Sequence, residues 1–166
     1  MQSNIEDEFT NVREELNKSR SYLTRYLSSN TNYNHTGDNK FLQEPIKLDN
    51  VIDNSNGYLE TGEDNSILIK AGVHHINVKS SIQIDHNINE HAAVYVYIRK
   101  NGTIVSQLSE DADYKNTANS MTVFRDYLEV TEGDKIQTYF ACDNETGSIK
   151  GNAGFPITQM SVQVVD

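Results

Sequence analysis

The sequence predicts a mainly β protein, a jelly-roll sandwich of roughly eight to ten strands that follows a short, parallel coiled-coil helix. Two patterns support this prediction. Near the N-terminus, apolar residues recur at alternating spacings of four and three, as they do along the seam of a coiled coil. From residue 45 onward, short alternating runs lie between turn signals, which is typical of strands. We therefore divide the chain into a coiled-coil stalk over residues 1–28, a polar linker over 29–44 and a jelly-roll head over 45–166.

The stalk is predicted from one apolar seam. Its a and d positions are Ile5, Phe9, Val12, Leu16, Ser19, Leu23 and Tyr26. Leucine at a with β-branched residues at d favours three or four helices over two, so we expect the apolar members of this seam to hold an oligomer together. Glu8 and Arg13 occupy g and e positions that pair between parallel helices, as do Glu15 and Arg20. The alternative is an amphipathic helix packed on its own domain, and the polar stretch that follows disfavours it.

The head is predicted to be all β because each alternating run ends at a turn signal. The predicted strands are residues 46–52, 66–70, 76–84, 93–99, 104–108, 121–130, 135–142 and 157–165. Asn101-Gly102 predicts a tight hairpin, because both central residues of a type I′ turn need positive φ. Gly133-Asp134 predicts a second hairpin, between residues 121–130 and 135–142.

The overall charge indicates what the protein does not bind. The formal net charge is −10 and the pI is about 4.9, so nucleic acid and anionic membranes are disfavoured as partners. The sequence shows neither an apolar run long enough to insert into a membrane nor a signal peptide. Its one cysteine, Cys142, has no partner for an intramolecular disulfide, which favours production in the cytosol.

A search for catalytic patterns predicts that the protein is not an enzyme and holds no metal or cofactor. His74 and His75 are adjacent on a predicted strand, so they point to opposite faces, with His74 expected on the core side. Cys142 follows Phe140 by two and is expected to be a small core residue. The acidic segment Glu110–Asp113 could offer oxygen ligands to calcium, but a solvated loop is favoured, since it lacks the glycine and terminal glutamate of an EF-hand loop.

The order of three motifs resembles the tumour-necrosis-factor/complement globular-head superfamily. The motifs are residues 69–78, with a glycine followed by His74 and His75; residues 96–102, a strand that ends in Lys-Asn-Gly; and residues 128–136, with Leu-Glu-Val-Thr-Glu-Gly-Asp-Lys-Ile. The resemblance covers residues 45–166. It implies a ten-stranded jelly roll that trimerises around a three-fold axis, with one sheet face rich in aromatic residues at that axis.

Several tyrosines are candidates for that aromatic face. Val94, Val96 and Ile98 alternate with Tyr95 and Tyr97, so the tyrosines are expected on the face opposite the core. Tyr127 and Tyr139, from neighbouring strands, are candidates to join them. We expect Tyr95, Tyr97 and Tyr139 to contribute to the head interface of a homotrimer.

A stalk, a displayed acidic head and the lack of catalytic motifs predict a structural role. The favoured interpretation is a virion structural protein, a homotrimeric phage head or tail fibre whose jelly-roll tip attaches to the host surface or decorates the capsid. Such a protein would assemble in the host cytoplasm, contact other capsid or tail proteins through its N-terminal helix, and bind a host cell-surface glycan. The alternatives are a bacterial or spore-surface adhesin-like trimer of the same fold and, more remotely, a cupin-like metal enzyme.

Overall fold

The computed structural model describes residues 2–87, 92–112, 118–143 and 145–166. These residues form one helix, α1, and thirteen strands, β1 to β13. In chain order they are α1 Gln2–Ser19, β1 Tyr22–Tyr26, β2 Thr31–His35, β3 Glu44–Pro45, β4 Asn50–Asn54, β5 Leu59–Thr61, β6 Ile67–Ile69, β7 His75–Asn87, β8 Ala92–Lys100, β9 Thr103–Ala112, β10 Ala118–Glu129, β11 Lys135–Cys142, β12 Glu145–Ile149 and β13 Gln159–Val164. Short 3₁₀ turns at Gly37–Asn39 and Glu63–Asn65 complete the list.

The strands form two antiparallel sheets packed face to face. In the first sheet the order is β2-β12-β7-β13-β1-β4, and β10 pairs with β7 as well. In the second sheet the order is β5-β6-β11-β8-β9, with β3 paired to β11. This architecture is a mainly β sandwich of jelly-roll type behind one N-terminal helix. The described residues contain more strands than the eight to ten expected. The sequence analysis did not predict β2 and several very short strands, because these carry no alternating pattern of their own.

The core lies between the sheets and follows the predicted alternation. Along β7, every second side chain from residue 76 to residue 84 is buried. Ser80 is the polar member of that row, and its hydroxyl lies 2.6 Å from the Thr138 hydroxyl of β11 in the opposite sheet. A buried hydroxyl needs a partner, and this pair satisfies both groups while it joins the two layers.

The first predicted hairpin is present. Strands β8 and β9 pair through the turn at Asn101-Gly102, where φ is 51° and 80°, as a type I′ turn requires. The second predicted hairpin is wrong. Strand β10 pairs with β7 in the first sheet and β11 pairs with β8 in the second, so the turn at Gly133 carries the chain from one sheet to the other. A turn signal marks a change of direction but does not specify the pairing partner.

The C-terminal part of the predicted stalk belongs to the sandwich. The helix ends at Ser19, and Leu23 and Tyr26 lie on strand β1, which pairs with β13 on one side and β4 on the other. Leu23 is fully buried in the core and Tyr26 is 8% exposed, so neither residue is available for a coiled-coil seam. Strand pairing on both sides outweighs the local helical spacing of these residues.

The predicted polar linker is also part of the fold. Strand β2 pairs with β12, and both Tyr33 and His35 on β2 are buried. The expected boundaries at residues 28 and 44 are therefore wrong, because the sandwich begins at β1, directly after the helix. Polar residues predominate on β2, an edge strand that buries only alternate side chains, and this composition is what suggested a linker.

Candidate oligomerisation surfaces

The apolar stripe of α1 lies in solvent. Ile5 is 51% exposed, Phe9 70%, Val12 54% and Leu16 48%, although all four lie on one side of the helix. We call these four residues the helix stripe. Nothing in the described part of this chain covers it. Large apolar side chains in a continuous row favour association with a partner, which is the arrangement the seam prediction requires.

The helix is held to the head at its C-terminal end. Lys18 donates to the Asp166 carboxylate at 2.8 Å. The same carboxylate accepts the backbone N–H groups of His74 and His75, where β7 begins. The Asn17 carbonyl accepts both the Ser21 hydroxyl and the Asn56 amide. These contacts fix the last turn of α1 and leave the helix stripe free of the head.

The surroundings of Asp166 favour its ionised form, which binds Lys18 and so holds the helix to the head. Partial burial alone would raise the pKa of the Asp166 carboxyl. The hydrogen bonds from Lys18 and from the two histidine N–H groups outweigh burial, so the pKa lies below the ordinary value of 3.8. The carboxylate is therefore held ionised at neutral pH. His74 itself is exposed and Val73 takes the core position, so the expected burial of His74 is wrong.

Tyr95, Tyr97 and Tyr139 share the outer face of the second sheet, as the alternation predicted. Tyr97 on β8 lies directly opposite Tyr139 on β11. Tyr95 and Tyr97 are nearly parallel, with ring centroids 6.2 Å apart, and exposed Phe41 meets Tyr95 edge to face. We call Tyr95, Tyr97 and Tyr139 the tyrosine face. Its role in an interface between copies stays a prediction.

Tyr97 is the most buried member of the tyrosine face. It is 7% exposed, and burial together with the neighbouring Tyr95 raises the pKa of its hydroxyl. The Arg99 guanidinium opposes that shift and lies 4.2 Å from the ring centroid of Tyr139, a cation–π contact. The Nε of Arg99 is buried without a hydrogen-bond partner in the described part of the chain.

The helix stripe and the tyrosine face are attached to different sheets. Helix α1 continues directly into β1, which lies in the first sheet. The tyrosine face covers the outside of the second sheet, on the far side of the core. The two surfaces therefore belong to different layers of the sandwich.

Two exposed aromatic residues lie on the first sheet: Phe124, which the sequence analysis missed, and Tyr127, which it wrongly expected beside the tyrosine face. Phe124 is 56% exposed on β10, where it lies opposite Lys79 of β7. Tyr127 is 65% exposed, has a positive φ of 50° at a β-bulge, and stacks on His75 with ring centroids 4.2 Å apart. Alternation with buried Val123 could have placed Phe124 on the outer face. The bulge that displaces Tyr127 leaves no comparable signal.

The described part of the chain also contains side chains of the types that hold metal ions. Within those residues, no group of three or more His, Cys, Asp or Glu side chains is arranged to hold a metal ion. Cys142 is buried. Of the acidic segment proposed as a calcium alternative, Asp113 lies outside the described residues. None of the described helices combines the length and the apolar character needed to cross a membrane.

Comparison with known proteins relates the fold to a solved structure. No protein-family model and no curated protein sequence matches the chain. Among solved structures, the Eiger TNF from S. frugiperda is similar, with a TM-score of 0.64 over 89% of this chain and 94% of that one. The two sequences are 7% identical, so the similarity establishes the fold alone. The fold of this chain is therefore similar to the tumour-necrosis-factor β sandwich.

Proposed function

We propose that the protein is a homotrimeric virion structural protein, a phage head or tail fibre that displays its jelly-roll head for host-surface attachment or capsid decoration. The observation that carries the proposal is the helix stripe, an exposed apolar row that leads directly into a TNF-like head. In this arrangement three helices pack in parallel and the heads surround their common end. The helical end contacts capsid or tail proteins, and the heads face outward on the particle surface.

The helix stripe supports self-association in particular. Phe9 and Leu16 occupy a positions, Ile5 and Val12 occupy d positions, and all four are free of the head. The helix of 18 residues is about 27 Å long at ~1.5 Å per residue, too short to be stable as an isolated coiled coil. Contacts between the heads must therefore add to those between the helices.

The net charge of the chain limits which partners we propose. A chain with a net charge of −10 repels nucleic acid and anionic membranes. We therefore propose partners of two kinds: copies of the same chain, with the neighbouring virion proteins, and a host cell-surface glycan.

The trimer is tested by the absolute mass of the full chain in solution. We expect three chains in the wild type and a shift toward monomer in the variant Val12→Asp, which places a charge in each helix stripe. The matched variant Asn11→Asp adds the same charge at the adjacent exposed position of α1 and should remain trimeric. A monomeric wild type, or equal mass in both variants, would refute a trimer held by the stripe.

A separate variant tests the tyrosine face. Tyr95 is less buried than Tyr97, so Tyr95→Asp tests an interface with less damage to the fold. If the tyrosine face contributes to the trimer, Tyr95→Asp should weaken association while the folded fraction stays constant. An unchanged trimer would remove these tyrosines from the interface and leave the helix stripe in place.

The virion location has its own test. Antibody against the head should label phage particles released from cells that carry the gene, when particles are examined by electron microscopy. Label on the cell or spore surface, with none on particles, would replace the fibre proposal with the bacterial surface protein.

A further inference from the structure

We propose that a cleft at the edge of the sandwich binds one unit of a neutral sugar. The cleft lies where β2, an edge strand of the first sheet, faces β3 of the second sheet. It has a volume of about 270 Å³. We call it the edge cleft. Each head contains a complete cleft, so its ligand binding does not depend on the trimer.

The floor of the edge cleft is aromatic and rigid. Tyr33 and Phe140 line it, and their rings meet edge to face with centroids 4.9 Å apart. His35 packs against both rings, at 5.6 Å from Tyr33 and 5.3 Å from Phe140. All three residues are buried, so their rotamers are fixed by packing. These rings give the cleft a fixed apolar boundary, and the small exposed part of each ring can contact the C–H groups of a sugar.

One wall of the cleft carries an oriented carboxylate. The Nδ1 atom of His35 accepts the backbone N–H of Cys142 at 3.1 Å. A backbone N–H can only donate, so in the neutral ring the proton lies on Nε2. That N–H donates to Oε2 of Glu44 at 3.3 Å. The Glu44 side chain is 53% exposed, which leaves its other oxygen able to accept a hydroxyl group.

Two more residues with polar side chains line the same cleft: Thr31, on the same side of β2 as Tyr33, and Lys47. Within the described part of the chain, these two side chains make no hydrogen bond or ion pair with other residues. A hydroxyl and an ammonium group therefore supply further hydrogen-bonding partners to a ligand. The cleft therefore offers a ligand both apolar contacts and hydrogen-bonding groups, the two kinds of contact that a small-molecule site combines.

The charges and the size of the cleft select the ligand class. Glu44 and Lys47 bring opposite charges to one cleft, and the chain as a whole carries −10, which disfavours an anionic ligand. A volume of 270 Å³ falls below the roughly 300 Å³ at which sites for drug-sized ligands begin. The ligand that fits is therefore a single neutral, hydroxyl-rich ring. The inference names the glycan contact of the proposed function and depends on that proposal for its biological role.

Direct binding of simple glycosides to the full chain tests the inference. The probes are the methyl glycosides of glucose, galactose and N-acetylglucosamine, with the methyl glycoside of glucuronic acid as the anionic comparison. Saturation-transfer NMR detects binding, and titration gives the dissociation constant. We expect at least one neutral probe to bind and the anionic probe to bind more weakly.

Matched variants locate the site. Glu44→Gln removes the charged acceptor and should weaken binding by about tenfold. The control is Glu132→Gln, at an exposed position away from the cleft, and it should bind as the wild type does. Unfolding curves confirm that both variants remain folded.

The outcomes separate this inference from the trimer. Lack of binding by every neutral probe, or equal binding by Glu44→Gln and Glu132→Gln, would overturn the edge cleft as a sugar site. Stronger binding of the anionic probe would overturn the ligand class. None of these results bears on the mass of the protein in solution. A monomeric chain that still binds sugar would refute the trimer and leave the sugar site in place.

Discussion

Arg25 is a buried cation that ties the first sheet to the second. It lies on β1 and is 9% exposed. Its Nε donates to the Leu48 carbonyl at 3.0 Å, and one terminal nitrogen donates to the carbonyls of Gly62 and Ser66 at 3.0 and 2.8 Å. Burial lowers the pKa of the guanidinium, and Asp49 opposes this shift. A charge in this position is tolerated because three carbonyls replace the lost water.

Replacing Arg25 should destabilise the head. In Arg25→Met the side chain keeps much of its volume, but the carbonyls of Leu48 and Gly62 lose their donors inside the protein. We expect the free energy of unfolding to fall by about 2–4 kcal/mol, measured by urea denaturation at fixed protein concentration. Arg125→Met makes the same substitution at an exposed position of β10 and should change stability by less than about 0.5 kcal/mol. Equal effects would show that the carbonyl contacts carry no net stability.

The anchor of α1 shows how one element is fixed by residues distant in sequence. Asp166 joins Lys18 at the end of the helix to the first residues of β7. The pKa of Asp166 is lower in the folded protein than its ordinary value of 3.8, so folding favours the ionised form. The ionised Asp166 carboxylate therefore contributes fully to the free energy of unfolding above pH 3.8. This contribution is lost as the pH falls toward the folded-state pKa.

The variant Asp166→Asn should reveal this pH dependence. Above about pH 5 we expect it to be less stable than the wild type by about 1–2 kcal/mol, because the ion pair with Lys18 and the charge-assisted bonds to the N–H groups are weakened. The difference should narrow as the pH falls below about 4, where Asp166 is protonated first in the unfolded chain and then, at lower pH, in the folded protein. Unfolding free energies from about pH 7 to about pH 2.5 measure it. A difference that does not depend on pH would assign the effect to packing. Asp126→Asn, at an exposed position of β10, is the control.

For the whole molecule, charge opposes the assembly that the helix stripe favours. Three chains at −10 each carry a formal −30. The helix alone contains five carboxylates and two basic side chains, which gives −3 per helix within a parallel bundle. Ion pairs between helices, such as Glu8 with Arg13, offset little of the repulsion between these charges, since an exposed ion pair contributes at most about 1 kcal/mol.

Added salt should therefore strengthen the trimer. Between about 0.05 M and about 0.5 M sodium chloride, screening shortens the reach of the repulsion, and we expect the association constant to rise. Sedimentation equilibrium measures it. Glu14→Gln removes one charge per helix outside the seam, so this variant should associate more tightly at low salt and depend less on salt. A trimer weakened by salt would show that attractive ion pairs between the chains dominate.

Local patterns in the sequence predicted much of the sandwich. Alternation along β7 and β8 placed their core residues on one face, and Asn101-Gly102 specified the β8–β9 hairpin, because side-chain direction and turn geometry depend on adjacent residues. The shared face of Tyr95, Tyr97 and Tyr139 followed from the same alternation. These features need only the periodicity of an extended chain.

Sequence by itself thus determined the fold class, the apolar stripe of the helix and the outward direction of the tyrosines. Only the tertiary structure decided where the helix ends, that Leu23 and Tyr26 lie in a strand, that β10 and β11 separate into different sheets, and that the edge cleft exists. The reason is physical. Strand β1 is stabilised by β13, more than 130 residues away, and the cleft needs residues from β2, β3 and β11. Contacts at such separations leave no local pattern, so they appear only when the chain is folded.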